Sequence, residues 1–111
     1  MALAFREKES DIQAAICDYL SLRGHLFWRQ NTTPIYDRTG AHFRSMPKHA
    51  LTGLPDIFLV QFGTGMLWGL EVKRPKGKQS ESQELFMMRL RNSGGRYDVV
   101  HSIAEVQALG L

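Results

Sequence analysis

Between Glu9 and Leu22 the apolar residues Ile12, Ala15, Ile16, Tyr19 and Leu20 recur at helical spacing, and Asp11, Gln13 and Asp18 fall elsewhere on the wheel. That pattern predicts an amphipathic helix. Ser10 followed by Gln13 reads as a capping box at its start, yet Phe5 could extend the helix backwards, and Gly24 reads as its C-terminal stop. The aromatic-rich run His25 to Gln30 predicts a strand. From Asn31 to Thr52, with Pro34, Gly40 and Pro47 among scattered polar residues, the chain predicts a long loop with a short strand near His42 to Arg44.

Two strand-like runs follow, Asp56 to Phe62 and Met66 to Lys73, joined by Gly63-Thr64-Gly65, which is hairpin chemistry. Pro55 fits as the residue before the first of them. After the basic loop Arg74-Pro75-Lys76-Gly77-Lys78, residues Ser80 to Asn92 predict a second helix with Leu85, Phe86 and Leu90 on its apolar side, ended by Gly94 and Gly95. Tyr97 to His101 reads as a short buried strand, and Ser102 with Glu105 as a capping box opening a last short helix. The expected architecture is α/β, a mixed central β-sheet flanked by helices.

Composition adds bounds. A chain of 111 residues with 43% hydrophobic and 23% charged positions has room for one domain, 1–111, with one modest core. A formal charge of +3 tolerates a polyanionic partner without demanding one. The single cysteine, Cys17, sits in the first helical pattern, where a buried thiol is the expectation, and no disulfide can form within the chain. The N-terminus turns charged too early for a signal peptide and no apolar run reaches membrane length, so no membrane partner and an intracellular, cytoplasmic site are expected. The four histidines lack zinc spacing. Phe27, Trp28 and Trp68 are expected in the core, although an exposed tryptophan could stack on a base.

The chemistry concentrates at the ends of the hairpin. Alternation along a strand points Glu71 and Lys73 to one side and Val72 to the core. Antiparallel pairing through the turn brings Asp56 beside them. Two carboxylates a few ångströms apart raise each other's pKa, a cost that a divalent cation reverses. Oxygen ligands without cysteine or paired histidine select Mg²⁺ or Mn²⁺. A lysine at the same place can orient or deprotonate a water, or neutralise charge developing on a phosphate. Those are the parts of metal-assisted phosphodiester hydrolysis. An acid-x-lysine triplet also arises by chance in a chain of this length, and surface ion pairs would account for it. The joint order of Gly53-Leu54-Pro55-Asp56, a hairpin, Glu71-Val72-Lys73, a basic loop and a helix favours a site.

With Glu9-Ser10-Asp11-Ile12-Gln13 opening the first helix and Ser80-Glu81-Ser82-Gln83 leading into the second, this order resembles the virus-type replication-repair nuclease domain, VRR-NUC, of the PD-(D/E)xK nuclease superfamily, over nearly the whole chain. The resemblance implies a restriction-endonuclease-like core. It implies Asp56 and Glu71 as metal carboxylates, the backbone carbonyl of Val72 as a third oxygen, and Lys73 as the catalytic lysine. Glu9 would be the helix acid, acting through water or on a second ion, with Glu7 and Asp11 as rivals and a dipole-favoured helix acid as the bland alternative. Gln83 would touch the lysine or the substrate, or else serve only as the capping partner of Ser80. Arg74, Lys76 and Lys78, then Lys48, Arg44 and Arg38, are the cations placed to meet DNA phosphates. Short members of the family resemble homodimeric resolvases of bacteria and phages that cut Holliday (four-way) junctions in DNA repair. A flap or duplex nuclease of the same fold, or a non-catalytic nucleic-acid-binding module, is the alternative.

Overall fold

The computed structural model describes residues 8–30, 36–37, 42–43 and 48–111. The elements run α1 Glu9–Leu22, β1 Leu26–Arg29, β2 Tyr36–Asp37, β3 His42–Phe43, β4 Ile57–Val60, β5 Leu67–Val72, α2 Glu81–Asn92, β6 Arg96–Val100 and α3 Ile103–Ala108. Strands β1, β4, β5 and β6 form one sheet in that order, and β2 pairs with β3 in a separate two-stranded ribbon. The ribbon puts two short strands where the sequence predicts one. Pairing is antiparallel except between β5 and β6, which α2 connects as a crossover. The result is a mixed sheet with helices on both faces.

The registers decide which residues share a face. Trp28 stands opposite Phe58, Phe58 opposite Gly69, and Gly69 opposite Tyr97. One place beyond the ends of the β4–β5 ladder, where Ile57 faces Leu70, Asp56 comes to lie opposite Glu71. Alternation then sends Trp28, Asp56, Phe58, Glu71 and Tyr97 to one face, and Ile57, Leu59, Trp68, Leu70, Val72 and Val100 to the other. The second set forms the main core with Ile12, Ile16 and Leu20 of α1 and Val106 and Leu111 at the C-terminal end. The first face is covered by α2, whose Phe86 meets both Phe58 and Tyr97.

Three local expectations change. The first helix is preceded by Lys8, whose backbone N–H donates to the Asp11 carboxylate at 3.3 Å. Glu9 and Ser10 are already helical, which displaces the Ser10–Gln13 cap. On α2 no side chain is fully buried, and Leu85 is exposed while Phe86 and Leu90 are half-buried, because α2 packs mainly along β6 and reaches β4 through Phe86. Trp28 is 43% exposed against 5% for Trp68, because it stands on the edge strand, on the face that α2 covers only in part. Cys17 is half-buried against the core, and burial pushes its thiol pKa up. Among the described residues no helix is long and apolar enough to cross a membrane.

Candidate active site

The site is built where β4 begins and β5 ends. N–H and C=O of one strand residue point to the same side, and Val72 turns its pair towards β4: its N–H donates to Asp56 Oδ2 at 2.8 Å. Extending the β4–β5 register sets Pro55 opposite Val72, and proline has no N–H to offer the Val72 carbonyl. Proline at this place ends the ladder and leaves a carbonyl oxygen beside the Asp56 and Glu71 carboxylates. Gly53, two residues earlier, has φ +75°, and a Cβ there would collide with the backbone carbonyl of Ser82. The glycine therefore lets the approach to β4 press against the start of α2.

Glu71 is 1% exposed, the one buried charged residue among the described residues. Its Oε1 accepts from Gln83 Nε2 at 2.9 Å and lies 3.7 Å from Lys73 Nζ, and its Oε2 accepts from the Tyr97 hydroxyl at 3.3 Å. Burial first, then the charge and contact of the Asp56 carboxylate, push the Glu71 pKa from 4.5 to about 8, against the pull of Lys73 and Tyr97. Burial and the neighbouring Glu71 raise the Tyr97 hydroxyl as well. Tyr97 thus stays a neutral donor. Gln83 fills both roles that the sequence left open, since its Oε1 accepts from Ser80 N at 2.8 Å while its amide nitrogen holds Glu71. The capping box locks one end of the Gln83 amide and so aims the other.

Other expected residues are placed differently. Glu9 is exposed in the first turn of α1, and among the described residues no hydrogen bond or ion pair joins it to the carboxylate pair. Asp11 caps the helix, and Glu7, Arg38 and Arg44 lie outside the described residues. Arg74, Lys76 and Lys78 are exposed in the turn after β5, which closes through Gly77 N–H to Arg74 C=O at 2.8 Å, and Lys48 is exposed just before Gly53. Tyr97 was not legible as a site residue. The signal that finds it is pairing: in a parallel β5–β6 ladder it faces Gly69, where a Cβ would lie 2.9 Å from its ring. The missing side chain at Gly69 gives that ring its room.

The sequence matches the family model described as "VRR-NUC domain" over residues 7–104. The chain belongs to the VRR-NUC family. A solved structure titled "VRR_NUC domain" superimposes with a TM-score of 0.64 at 22% identity, covering 91% of each chain, which bears on the fold alone. No curated protein matches the sequence. The fold is accordingly the PD-(D/E)xK-like α/β arrangement, and membership of the VRR-NUC family implies a nuclease-type function with DNA as the substrate class.

The donor set fits a hard divalent ion. Two opposed carboxylates and the Val72 backbone carbonyl, to which Pro55 offers no N–H, are all oxygens, and among the described residues no group of three or more His, Cys, Asp or Glu is placed to hold a metal ion. Mg²⁺ is commonly held by one or two carboxylates and keeps several waters. Burial first and the adjacent Asp56 carboxylate second hold Glu71 near pKa 8, and the second of these is a repulsion that a cation between the two acids would relieve. Gly53→Ala is expected to destabilise the protein by more than about 2 kcal/mol, since overpacking and a left-handed backbone add. Chemical denaturation measures it, and a variant as stable as wild type would contradict the packing described.

Proposed function

We propose that this VRR-NUC domain is a Mg²⁺- or Mn²⁺-dependent, structure-selective DNA endonuclease that acts as a homodimer, with the four-way junction as its first candidate substrate. The observation that carries the reading is the Asp56–Glu71 pair, opposed across β4 and β5, with Lys73 3.7 Å from Glu71 Oε1. Asp56, Glu71 and the Val72 carbonyl would hold the ion, which supplies Lewis acidity at the scissile phosphate.

The chain's own groups do the rest. Gln83 and Tyr97 fix the two oxygens of Glu71, so the carboxylate has one orientation. Lys73, with its side chain 17% exposed, faces the solvent side of the pair and offers a proton or a charge to the reacting phosphate. Arg74, Lys76 and Lys78 follow directly on the exposed turn and meet neighbouring phosphates, which orients the strand without reading its bases.

A twofold dimer would carry two such sites and place paired nicks on a branched substrate. The exposed apolar residues Leu22, Leu26 and Phe62 support an interface away from the site. Phe62 N–H donates to His25 at 2.9 Å and Leu26 faces Val60, so this patch lies at the opposite end of β1 and β4 from Asp56. Incubating the protein with an immobile four-way junction and a matched duplex, each with Mn²⁺, Mg²⁺ or chelator, is expected to give metal-dependent paired cuts in the junction, and sedimentation a dimer. Equal cutting of both DNAs would remove the structure selectivity. A junction bound but never cut with any metal would replace the enzyme by a binding module.

A further inference from the structure

Trp28 has a surface that packing does not use. A tryptophan usually buries most of its large ring area, and Trp68 does so at 5% exposure, whereas Trp28 keeps 43%. Its ring is nonetheless fixed. It stacks on Phe58 with centroids 5.6 Å apart and 30° between planes, and its indole N–H donates to Gln30 Oε1 at 3.1 Å. With its polar handle satisfied within the strand, what remains open is aromatic surface.

That surface stands at the carboxylates. Gln30 N–H donates to the Asp56 carbonyl at 2.8 Å, which ties the end of β1 to the start of β4. Trp28 faces Phe58 and shares the sheet face of Asp56 and Glu71. As the diagonal neighbour of Asp56 across the two strands, its backbone lies about 7–8 Å away. We propose that Trp28 is a stacking platform for an unpaired base of the DNA whose phosphate lies at Asp56 and Glu71. This rests on the nuclease reading and specifies the substrate: the bases of an intact duplex are already stacked, so the platform serves DNA opened at a branch, fork or single-stranded arm. Stacking needs only a π-face, so it adds structure selectivity without sequence preference. A ring already held by Phe58 and Gln30 loses little freedom on binding.

The test compares a forked DNA carrying single-stranded arms with a matched blunt duplex, with binding measured in chelator and cleavage in Mn²⁺, for wild type, Trp28→Phe and Trp28→Ala. Fork binding is expected to quench wild-type tryptophan emission, and the quench is expected to vanish in Trp28→Phe, which leaves only the buried Trp68. The preference for fork over duplex should fall roughly 5- to 150-fold in Trp28→Ala, mainly as a higher KM on the fork, and recover in Trp28→Phe. Thermal melting of each variant separates this loss from unfolding. DNA that is bound and cut by wild type with no change in emission would overturn the platform and leave the nuclease standing. An equal loss on fork and duplex in a folded Trp28→Ala would also overturn it, in favour of a general contact. A wild-type protein that neither binds nor cuts any DNA would sink the nuclease reading itself, and the platform with it.

Discussion

Glu71→Gln is expected to abolish metal-dependent cleavage and, in chelator, to make the protein more stable than wild type at pH 8. The first effect follows from losing a charged oxygen at the ion: Lewis-acid stabilisation is worth several kcal/mol, so the rate falls by about 10³-fold or more. The second follows from burial. The Glu71 pKa is raised from 4.5 to about 8, so between those values the folded chain keeps a proton that the unfolded chain releases. Stability is therefore fully present below about pH 4.5 and lost as pH rises through about 8, at up to about 1.4 kcal/mol per pH unit. Glutamine at this position carries no charge at any pH and has no such slope.

The exchange has a cost, because the Tyr97 hydroxyl donates to Glu71 Oε2 and an amide nitrogen cannot accept it, which forfeits about 1 kcal/mol. That offset is the same at every pH. The diagnostic is thus the growth of the difference between variant and wild type from pH 6 to pH 8.5 in urea titrations. A difference that does not change with pH would mean that Glu71 ionises freely in the fold and would remove the electrostatic argument for a cation site.

Much of this arrangement was legible in the chain because it rests on local patterns. The alternation from Asp56 to Lys73 around Gly63-Thr64-Gly65 is enough to oppose Asp56 and Glu71 and to send Val72 inward, and β4 and β5 follow it. The Ser80 capping box was equally readable, since it needs only a residue three places on. At Ser102 only half of the expected box forms: its hydroxyl accepts from the Glu105 N–H, but the Glu105 carboxylate accepts from the His101 N–H instead of that of Ser102. What was not legible depends on partners distant in sequence. Tyr97 reaches Glu71 only because α2 returns β6 parallel to β5. Trp28 looks like any core aromatic until the sheet order makes β1 an edge. Leu85 satisfies a helical stripe, yet α2 covers too little of the sheet to bury it. Gln83 could be read as a cap or as a site residue, and its geometry needs both, which no one-dimensional pattern distinguishes.

Lys73→Ala is expected to lower cleavage by about 10²- to 10⁴-fold, the range for removing a positioned proton donor or acceptor, while Mn²⁺ binding by calorimetry persists. Lysine offers no oxygen to the ion, and its ammonium stands 3.7 Å from Glu71 Oε1, outside hydrogen-bond reach but within Coulomb reach. Lys73 pulls the Glu71 pKa down, so its removal drives that pKa higher still. The variant should accordingly bind Mn²⁺ more weakly at pH 7 and recover part of the affinity as pH rises. Lys73→Arg then separates the two roles of the lysine. A guanidinium keeps the charge but does not give up its proton. Activity restored by arginine would assign Lys73 to neutralising charge on the phosphate, and activity as low as that of the alanine variant would assign it to proton transfer. Loss of Mn²⁺ binding at every pH in Lys73→Ala would instead place the lysine in the structure of the ion site, and the division of labour between the carboxylates and the lysine would have to be redrawn.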